Sequence, residues 1–325
     1  KTPQGMGVAR KLIGWSDVVC ENFGVGTMKK LGFSYDDLKR IKEDVIMVSS
    51  CMYGQTGPRA RFAGMGWHLS GPAGFYHLTG WPDKGPVPPH TAVTDHIAPW
   101  YTAIAVLAGV DYHRRTGRGL YIDQSQLEAS LSFLSTALLD YTVNGNVQGR
   151  RGNTSERATP HGVYPCAGDD RWCAITVYTD EEWRSFCQVV GRPSLVSDRR
   201  FSTLEKRKQH EGELDEIVAE WTAKHTAEEV MNTLQAAGVP AGVVQNAEDI
   251  VDKDPQLKHW QMWPVRQHPE IGGAIQYGWP VRFSEGLVEV RVAPCLGEHT
   301  EYVCRELLGM SDSEFLEFIN SGASE

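Results

Sequence analysis

Two short apolar runs with a capped helix between them place the strongest constraint on how this chain can fold. Residues 17–20 (Asp-Val-Val-Cys) and 45–51 (Val-Ile-Met-Val-Ser-Ser-Cys) are largely apolar and β-branched, which is typical of buried parallel strands. Between them, Ser34 and Asp37 have the spacing of a capping box and predict the start of a helix. A strand, a helix and a strand in this order indicate an α/β layer of the doubly wound type.

The remainder of the chain predicts further helices, a hairpin and a second, smaller domain. Pro99 is placed in the first turn of a helix, where proline is tolerated, and Gly117 marks the end of that helix. Helices are predicted over 96–115, 124–141, 180–190, 204–223 and 226–237, and strands over 120–123, 163–177 (a hairpin turning at 167–170) and 239–244. The predicted domains are a large domain over 1–154, a smaller α+β domain over 155–237, and a return to the large domain over 238–325.

Composition and charge narrow the classes of protein to which this chain can belong. With 41% hydrophobic and 22% charged residues, the 325-residue chain can bury a substantial core, and it has no apolar run near the length of a membrane span. A net charge of -9 argues against general binding to nucleic acid. The seven cysteines are scattered without a Cys-x-x-Cys pair, which predicts a reducing, cytoplasmic location and no structural zinc.

An irregular segment over 55–92, rich in Gly and Pro, ends shortly before Asp95. Long irregular segments inside compact domains are usually functional. Asp95 stands at the start of the predicted helix, where unsatisfied N–H groups and the helix dipole favour negative charge. It can serve there as an N-cap residue, or it can remain ionised and attack an activated acyl group.

Other catalytic chemistries lack their characteristic residues. An α/β hydrolase would need a Gly-x-Ser-x-Gly elbow, and a nucleotide-binding module would need a Gly-x-Gly-x-x-Gly or Walker motif; neither occurs. The histidines around Asp95 lack the Asp, Glu or Cys partners of a metal site, although two of them, His68 and His96, are candidates for orienting substrate. Nearby aromatic residues are core residues or the lining of a pocket for a bulky, apolar acid: Trp67, Trp81, Trp100 and Tyr101.

A set of short motifs runs in order through nearly the whole chain. They are Val-Val-Cys-Glu-Asn-Phe (18–23), Met-Lys-Lys-Leu-Gly-Phe (28–33), Gly-Gln-Thr-Gly-Pro (54–58), Arg-Thr-Gly-Arg-Gly (115–119), Pro-His-Gly-Val-Tyr-Pro (160–165), Gly-Val-Pro-Ala-Gly (238–242), Asp-Pro-Gln-Leu (254–257) and Leu-Gly-Glu-His-Thr (296–300). Together with Asp95, this set resembles the class III CoA-transferases, the CaiB/BaiF family. The resemblance implies a Rossmann-like large domain, a smaller α+β domain and an intertwined homodimer. It also implies an N-terminally incomplete chain, because the strand–loop–helix unit that opens family members has no counterpart here.

The resemblance further implies that the protein moves CoA from an acyl-CoA donor to a carboxylic acid acceptor. Asp95 falls on the family's acyl-accepting aspartate, so catalysis through an aspartyl anhydride and an aspartyl–CoA thioester is expected. Each tetrahedral intermediate needs hydrogen-bond donors for its oxyanion. The candidates are the backbone N–H groups of Gly54 and Gln55 and the side-chain amide of Gln55.

A second group of residues is expected to bind CoA. Asn22 and Phe23 match the family's Asn-Phe beside the CoA nucleotide, and Lys30 falls on a basic position associated with the CoA phosphates. Arg59 is a further candidate for phosphate contact, whereas Gly24 stands where the family commonly has a basic residue. We therefore expect CoA as a substrate, with no metal and no nucleic-acid or membrane partner.

Two alternatives to a homodimeric transferase are open from the sequence. An acyl-CoA racemase of the same fold needs a histidine and a glutamate beside the aspartate, and those positions correspond to Met65 and Gly162 here. Neither residue can exchange a proton, which disfavours a racemase. The chain can also be a non-catalytic subunit of a hetero-oligomeric CoA-transferase, although the presence of Asp95 favours an active enzyme.

Overall fold

The computed structural model describes residues 2–286 and 289–323, which divide into two units. The first unit comprises Lys1–Arg150 and Pro294–Glu325, and the second comprises Arg151–Ala293. In chain order, the first segment contains α1 (Pro3–Trp15), β1 (Val18–Glu21), α2 (Thr27–Lys30), α3 (Tyr35–Ile41), β2 (Ile46–Cys51), α4 (Gly66–Ser70), α5 (Phe75–Leu78), α6 (Val93–Thr116), β3 (Leu120–Ser125), α7 (Gln126–Leu131), a 3-10 turn (Ser132–Leu134) and α8 (Ser135–Asn144).

The second unit and the closing segment of the first follow along the chain. The second unit contains β4 (His161–Pro165), β5 (Trp172–Thr176), α9 (Asp180–Val189), a 3-10 turn (Pro193–Val196), α10 (Leu204–Gln209), α11 (Glu211–Thr222), α12 (Ala227–Ala236), β6 (Ala241–Val243), a π-helical turn (Asp249–Lys253), α13 (Pro255–His259), β7 (Val265–His268) and β8 (Gly272–Ile275). The closing segment contains a π-helical turn (Tyr302–Leu307) and α14 (Asp312–Asn320).

The first unit is built on a parallel sheet with the strand order β1-β2-β3. All six residues of β2 are buried, and its Ile46 lies opposite Val18 of β1 and Leu120 of β3. The helix α3 starts at the predicted capping box: the N–H of Asp37 donates to Ser34 Oγ (3.4 Å), and the N–H of Ser34 donates to Asp37 Oδ2 (3.0 Å). These features confirm the predicted α/β layer.

The helix α1 lies outside the predicted elements. Thr2 caps it by accepting a hydrogen bond from the N–H of Gly5 (3.1 Å), and Pro3 occupies the first helical position. Its Ile13 is buried in a cluster with Phe33 and with residues of α3 and β2. Three glycines and few large apolar residues weaken the helical periodicity of this segment, so its helix depends on the cap and on packing against α3.

The 24-residue helix α6 begins at Val93, three residues before its predicted start. Asp95 is therefore the third residue of the helix, and the alternative that it is the N-cap is wrong because Ala92 occupies that position. Pro99 lies in the second turn instead of the first, so it offers no N–H to the Asp95 carbonyl four residues earlier. Gly117 adopts the left-handed conformation (φ 68°) at the predicted end.

Several other predictions differ from the structure. The segment predicted to be irregular over 55–92 contains α4 and α5, and the helix predicted over 204–223 is divided at His210 into α10 and α11. The helix predicted over 124–141 starts later, because β3 continues to Ser125, and the 3-10 turn divides it into α7 and α8. In the second unit, the antiparallel order β4-β5-β6 includes the predicted hairpin, and Val243 of β6 pairs with Cys173 of β5. Since this pairing keeps β6 in the second unit, the chain rejoins the first unit at Pro294 rather than at residue 238.

Within residues 2–286 and 289–323, no helix combines the length and the apolar character needed to cross a membrane. In the same ranges, no three His, Cys, Asp or Glu side chains are grouped so as to hold a metal ion. All seven cysteines are free thiols.

Candidate active site

A pocket of about 410 Å³ opens where the three strands of the parallel sheet end. Asn22 and Phe23 follow β1, Cys51 and Met52 stand at the end of β2, and Gln126 follows β3; all five line the pocket. Ligands of open α/β sheets bind outside the carboxyl ends of the strands. The topology of the sheet therefore places this pocket where a substrate site is expected.

The rest of the wall comes from the irregular segment after β2 and from α6. Apolar side chains dominate it, among them Phe62 and Met65, and Asp95 is the single carboxylate among the described lining residues. The remaining lining residues are Gly24, Val25, Ala60, Ala63, Gly64 and Gly66. Asp95 is exposed, so its carboxylate is open to a bound molecule while the first turn of α6 favours its charge.

The Asp95 carboxylate lies against Gly66, the first residue of α4. A Cβ atom on Gly66 would stand 2.7 Å from Asp95 Oδ1 and closer still to Cγ and Oδ2. The carbonyl of Gly66 accepts hydrogen bonds from Ser70 Oγ (2.7 Å) and from Thr94 Oγ1 (3.3 Å), and both hydroxyl residues are buried. Thr94, which precedes Asp95 in the chain, is thus hydrogen-bonded to Gly66, and the Asp95 carboxylate packs against that same glycine.

A second pocket of about 420 Å³ adjoins the first and shares Asn22 and Gln126 with it. It extends beneath the first turns of α6, where Ala98, Pro99 and Thr102 form its wall. The two adjoining pockets are together called the groove.

Three of the predicted site residues line the pocket together, and two others are not among its lining residues. Asn22, Phe23 and Asp95 share the first pocket. Lys30, at the end of α2, and Arg59 are exposed and do not line it. Arg59 directly precedes the lining residue Ala60, so its side chain starts at the rim.

The predicted oxyanion donors are engaged within the protein. The N–H of Gln55 donates to both carboxylate oxygens of Asp123 (2.9 and 3.0 Å), and the N–H of Gly54 donates to the carbonyl of Cys51 (3.5 Å). The Gln55 amide donates to Glu21 Oε1 (3.4 Å) and accepts from a backbone N–H at residue 26. A role for these donors in the reaction would require the bonds to break. Long-range contacts with Asp123 and Glu21 left no signal in the sequence.

The histidines and tryptophans singled out by sequence also have local partners or lie off the pocket. His68 Nδ1 accepts from the N–H of Met65 (3.2 Å) at the start of α4, and His96 Nε2 pairs with Thr91 Oγ1 (2.6 Å). Phe23 and Phe62 provide the aromatic lining instead of the four predicted residues, which are Trp67, Trp81, Trp100 and Tyr101.

Cys51 is the other nucleophilic side chain in the pocket. Burial raises the pKa of the Cys51 thiol, and the carboxylates of Asp123 and Glu21 raise it further. The thiol is therefore protonated near neutral pH, where only a thiolate is strongly nucleophilic. Among the described lining residues, the protonated Cys51 thiol is therefore a weaker nucleophile than a carboxylate at Asp95 would be.

The chain is similar in sequence and in structure to members of a known protein family. The profile of CoA-transferase family III matches residues 1–300. The succinyl-CoA–D-citramalate CoA-transferase of Chloroflexus aurantiacus is 29% identical, over 97% of this chain and 78% of its own. The beta subunit of the succinyl-CoA–L-malate CoA-transferase of that organism is 32% identical, over 96% of this chain and 78% of its own. A CAIB/BAIF family protein from Brucella suis is 28% identical, covers 94% of this chain and 79% of its own, and has a TM-score of 0.86. With a match over nearly its whole length and a pocket where such folds bind ligands, the chain belongs to CoA-transferase family III.

Proposed function

We propose that this enzyme passes CoA from an acyl-CoA to a carboxylic acid and that Asp95 carries the acyl group between them. The observation that supports this role is the exposed Asp95 carboxylate in a pocket whose other described lining residues include no carboxylate. A nucleophile must reach the thioester carbon, and this side chain is open to the pocket. Succinyl-CoA, the donor named for two of the relatives, is the first donor to examine.

The proposed reaction proceeds in four displacements at carbonyl carbon. The Asp95 carboxylate attacks the thioester, which forms a mixed anhydride and releases the CoA thiolate. The thiolate attacks the aspartyl carbonyl, which forms an aspartyl–CoA thioester and releases the donor acid. The acceptor carboxylate then displaces the thiolate and forms a second anhydride. The thiolate finally attacks the acceptor's acyl carbon, giving the new acyl-CoA and the free Asp95 carboxylate.

We propose that Asn22 and Phe23 contact CoA along the groove and that Lys30 and Arg59 contact its phosphates. Phe23 is 49% exposed although it is aromatic, which suits a residue that packs against a ligand. Lys30 and Arg59 are exposed cations outside the apolar wall, so they can pair with phosphate without charging the acyl pocket. This arrangement separates the charged and the reacting ends of the substrate.

A racemase remains the weaker candidate. Moving an α-proton requires a base within reach of the substrate. Met65, at the position of the racemase histidine, lines the pocket and has a thioether that cannot accept the proton.

We also propose a homodimer, in which two chains cover a large apolar surface of the first unit. Along α6, Trp100, Ile104 and Leu107 are 65%, 64% and 69% exposed, and in α8 Leu139 and Val143 are 61% and 75% exposed. Exposed apolar patches of this extent mark interaction surfaces. One relative is named as the beta subunit of a CoA-transferase. The alternative to a second copy of this chain is therefore a different CoA-transferase chain as the partner.

The decisive experiment traps the acyl group on Asp95. The protein is incubated with succinyl-CoA and hydroxylamine, which cleaves an aspartyl anhydride or thioester and leaves an aspartyl hydroxamate. We expect peptide mass spectrometry to find the hydroxamate at Asp95. Transfer of CoA to a panel of carboxylic acids should disappear in Asp95→Ala.

The stability of Asp95→Ala shows whether a loss of transfer comes from the missing carboxylate or from unfolding. Since Asp95 is not the N-cap of α6, its loss removes only a favourable interaction with the helix dipole, about 0.3–1 kcal/mol. The circular dichroism spectrum and the urea midpoint should therefore stay close to those of the native chain. Near-normal transfer by Asp95→Ala would reject the proposal.

A further inference from the structure

The close boundary of the Asp95 carboxylate is the space beside Gly66, and it is steric. The exposed Asp95 carboxylate lines the pocket, and no protein donor among the described residues bonds to it. The closest steric boundary is Gly66, where an added Cβ would stand 2.7 Å from Oδ1 and closer to Cγ and Oδ2. Real Cβ atoms essentially never come within 3.0 Å of such neighbours. No side chain at residue 66 is therefore compatible with the carboxylate where it stands.

The backbone of Gly66 is held in place from two directions. Ser70 Oγ bonds to its carbonyl from within α4, and Thr94 Oγ1 bonds to the same carbonyl from α6. Gly66, Ser70 and Thr94 are all buried. Moving residue 66 aside would disturb two buried hydrogen bonds, whereas the exposed Asp95 side chain can rotate. A clash between the two residues would thus be relieved by displacement of the carboxylate.

The other glycines of the pocket do not share this property. A Cβ on Gly64 would meet His68 Cβ (3.0 Å) and Met52 Cε (3.2 Å), and one on Gly24 would meet nothing within 4 Å. Among the described glycines of the lining, the contact with the carboxylate belongs to Gly66.

We infer that Gly66 is a positioning residue for the acyl transfer: its missing side chain provides the space in which the Asp95 carboxylate faces the pocket. The inference rests on the proposed role of Asp95. A nucleophile displaced by about 1 Å can lose about 100-fold in rate while the substrate still binds. Gly66→Ala should therefore lower kcat and leave the KM for acyl-CoA nearly unchanged.

The first experiment compares Gly66→Ala with a matched control, Gly85→Ala. Gly85 lies in an exposed part of the irregular segment, and an added Cβ there meets nothing within 4 Å. We expect hydroxylamine trapping at Asp95 and kcat to fall about 100-fold in Gly66→Ala, with KM within about threefold, and no change in Gly85→Ala. Full trapping and kcat in Gly66→Ala would overturn the inference. Absence of the hydroxamate from the native chain would instead reject the proposed function.

The second experiment separates displacement of Asp95 from general damage to the fold. Gly66→Ala is introduced into the Asp95→Ala background, where the carboxylate is absent. Alanine is also a better helix former than glycine at this position of α4. The urea midpoint of the double variant should therefore equal or exceed that of Asp95→Ala alone. A lower midpoint would show that the new side chain clashes with another group, and the inference would fail.

Discussion

At the scale of single residues, the surroundings of each carboxylate decide what it can do. Asp95 is exposed in the pocket and accepts no protein hydrogen bond within the described residues, so it is available to a substrate. Asp215 of α11 is partly buried and accepts a hydrogen bond from the Tyr164 hydroxyl (2.6 Å). Burial raises the pKa of Asp215, and the bond from Tyr164 offsets this only in part. The ionised form of Asp215 is accordingly less favourable in the folded chain than in the unfolded chain.

We predict that Asp215→Asn gains stability over the native chain as the pH rises. Because the pKa of Asp215 is raised in the folded protein, its contribution to stability is full below the unfolded pKa of about 3.9 and is lost as pH rises through the folded pKa. Asparagine does not titrate and can still accept the bond from Tyr164. The difference between the two urea midpoints should therefore grow in favour of the variant as the pH rises above about 4. A constant difference would contradict the prediction.

At the scale of elements, a cap determines where a helix begins, and the burial of its apolar side chains determines how much the helix is stabilised. The reciprocal bonds of Ser34 and Asp37 start α3, and its Leu38 is fully buried against Val45 and Met47 of the neighbouring β2 segment. This helix connects the first two parallel strands, whose ends carry the pocket. Removing the Ser34 cap therefore tests how much the hydrogen bonds at the start of α3 stabilise the sheet whose strand ends line the pocket.

Removing the cap of α3 should destabilise the first unit by a modest amount. We predict that Ser34→Ala lowers the free energy of unfolding by about 1 kcal/mol, because the N–H of Asp37 loses its acceptor. Ser34→Thr, which keeps a hydroxyl, is the matched control and should lose less. Urea unfolding followed by circular dichroism measures both. Equal losses in the two variants would show that the hydroxyl is not what stabilises the helix start.

At the scale of the whole molecule, α6 and α8 expose large apolar side chains that nothing covers in a single chain. Trp100, Ile104 and Leu107 recur at helical spacing and therefore share one side of α6. The same helix carries Asp95 in its first turn. An interface on this helix would connect assembly to the proposed catalytic residue through one rigid element.

We predict that Ile104→Glu disrupts the homodimer, because the variant places a charge in the apolar surface that the partner chain covers. Light scattering should give a dimer for the native chain and a monomer or an unfolded chain for the variant. Arg114→Glu, an exposed charge change in the last turn of α6, should remain dimeric. If the chains are intertwined, unfolding should depend on protein concentration. A native chain that is a stable monomer would favour the hetero-oligomeric alternative.

Local patterns were sufficient to predict most elements of the fold. The capping box of α3, the end of α6 at Gly117 and the hairpin of β4 and β5 all depend on residues close together in sequence. The start of α6, the helices α1, α4 and α5, and the elements after β6 were not predicted, since these segments carry no strong local signal. Packing against the rest of the unit selects these helices.

The sequence by itself determined the family, the parallel strand–helix–strand layer and the identity of Asp95 as the candidate nucleophile, because motif order and local periodicity are properties of the linear chain. Only the tertiary structure decided what surrounds that carboxylate. Gly66 is bonded to Thr94 across 28 positions, and Gln55 is bonded to Asp123 across 68. Such contacts form when distant segments pack together, so no spacing in the sequence encodes them. For that reason the sequence did not show that the predicted oxyanion donors already have partners within the protein, or that Gly66 lies against Asp95.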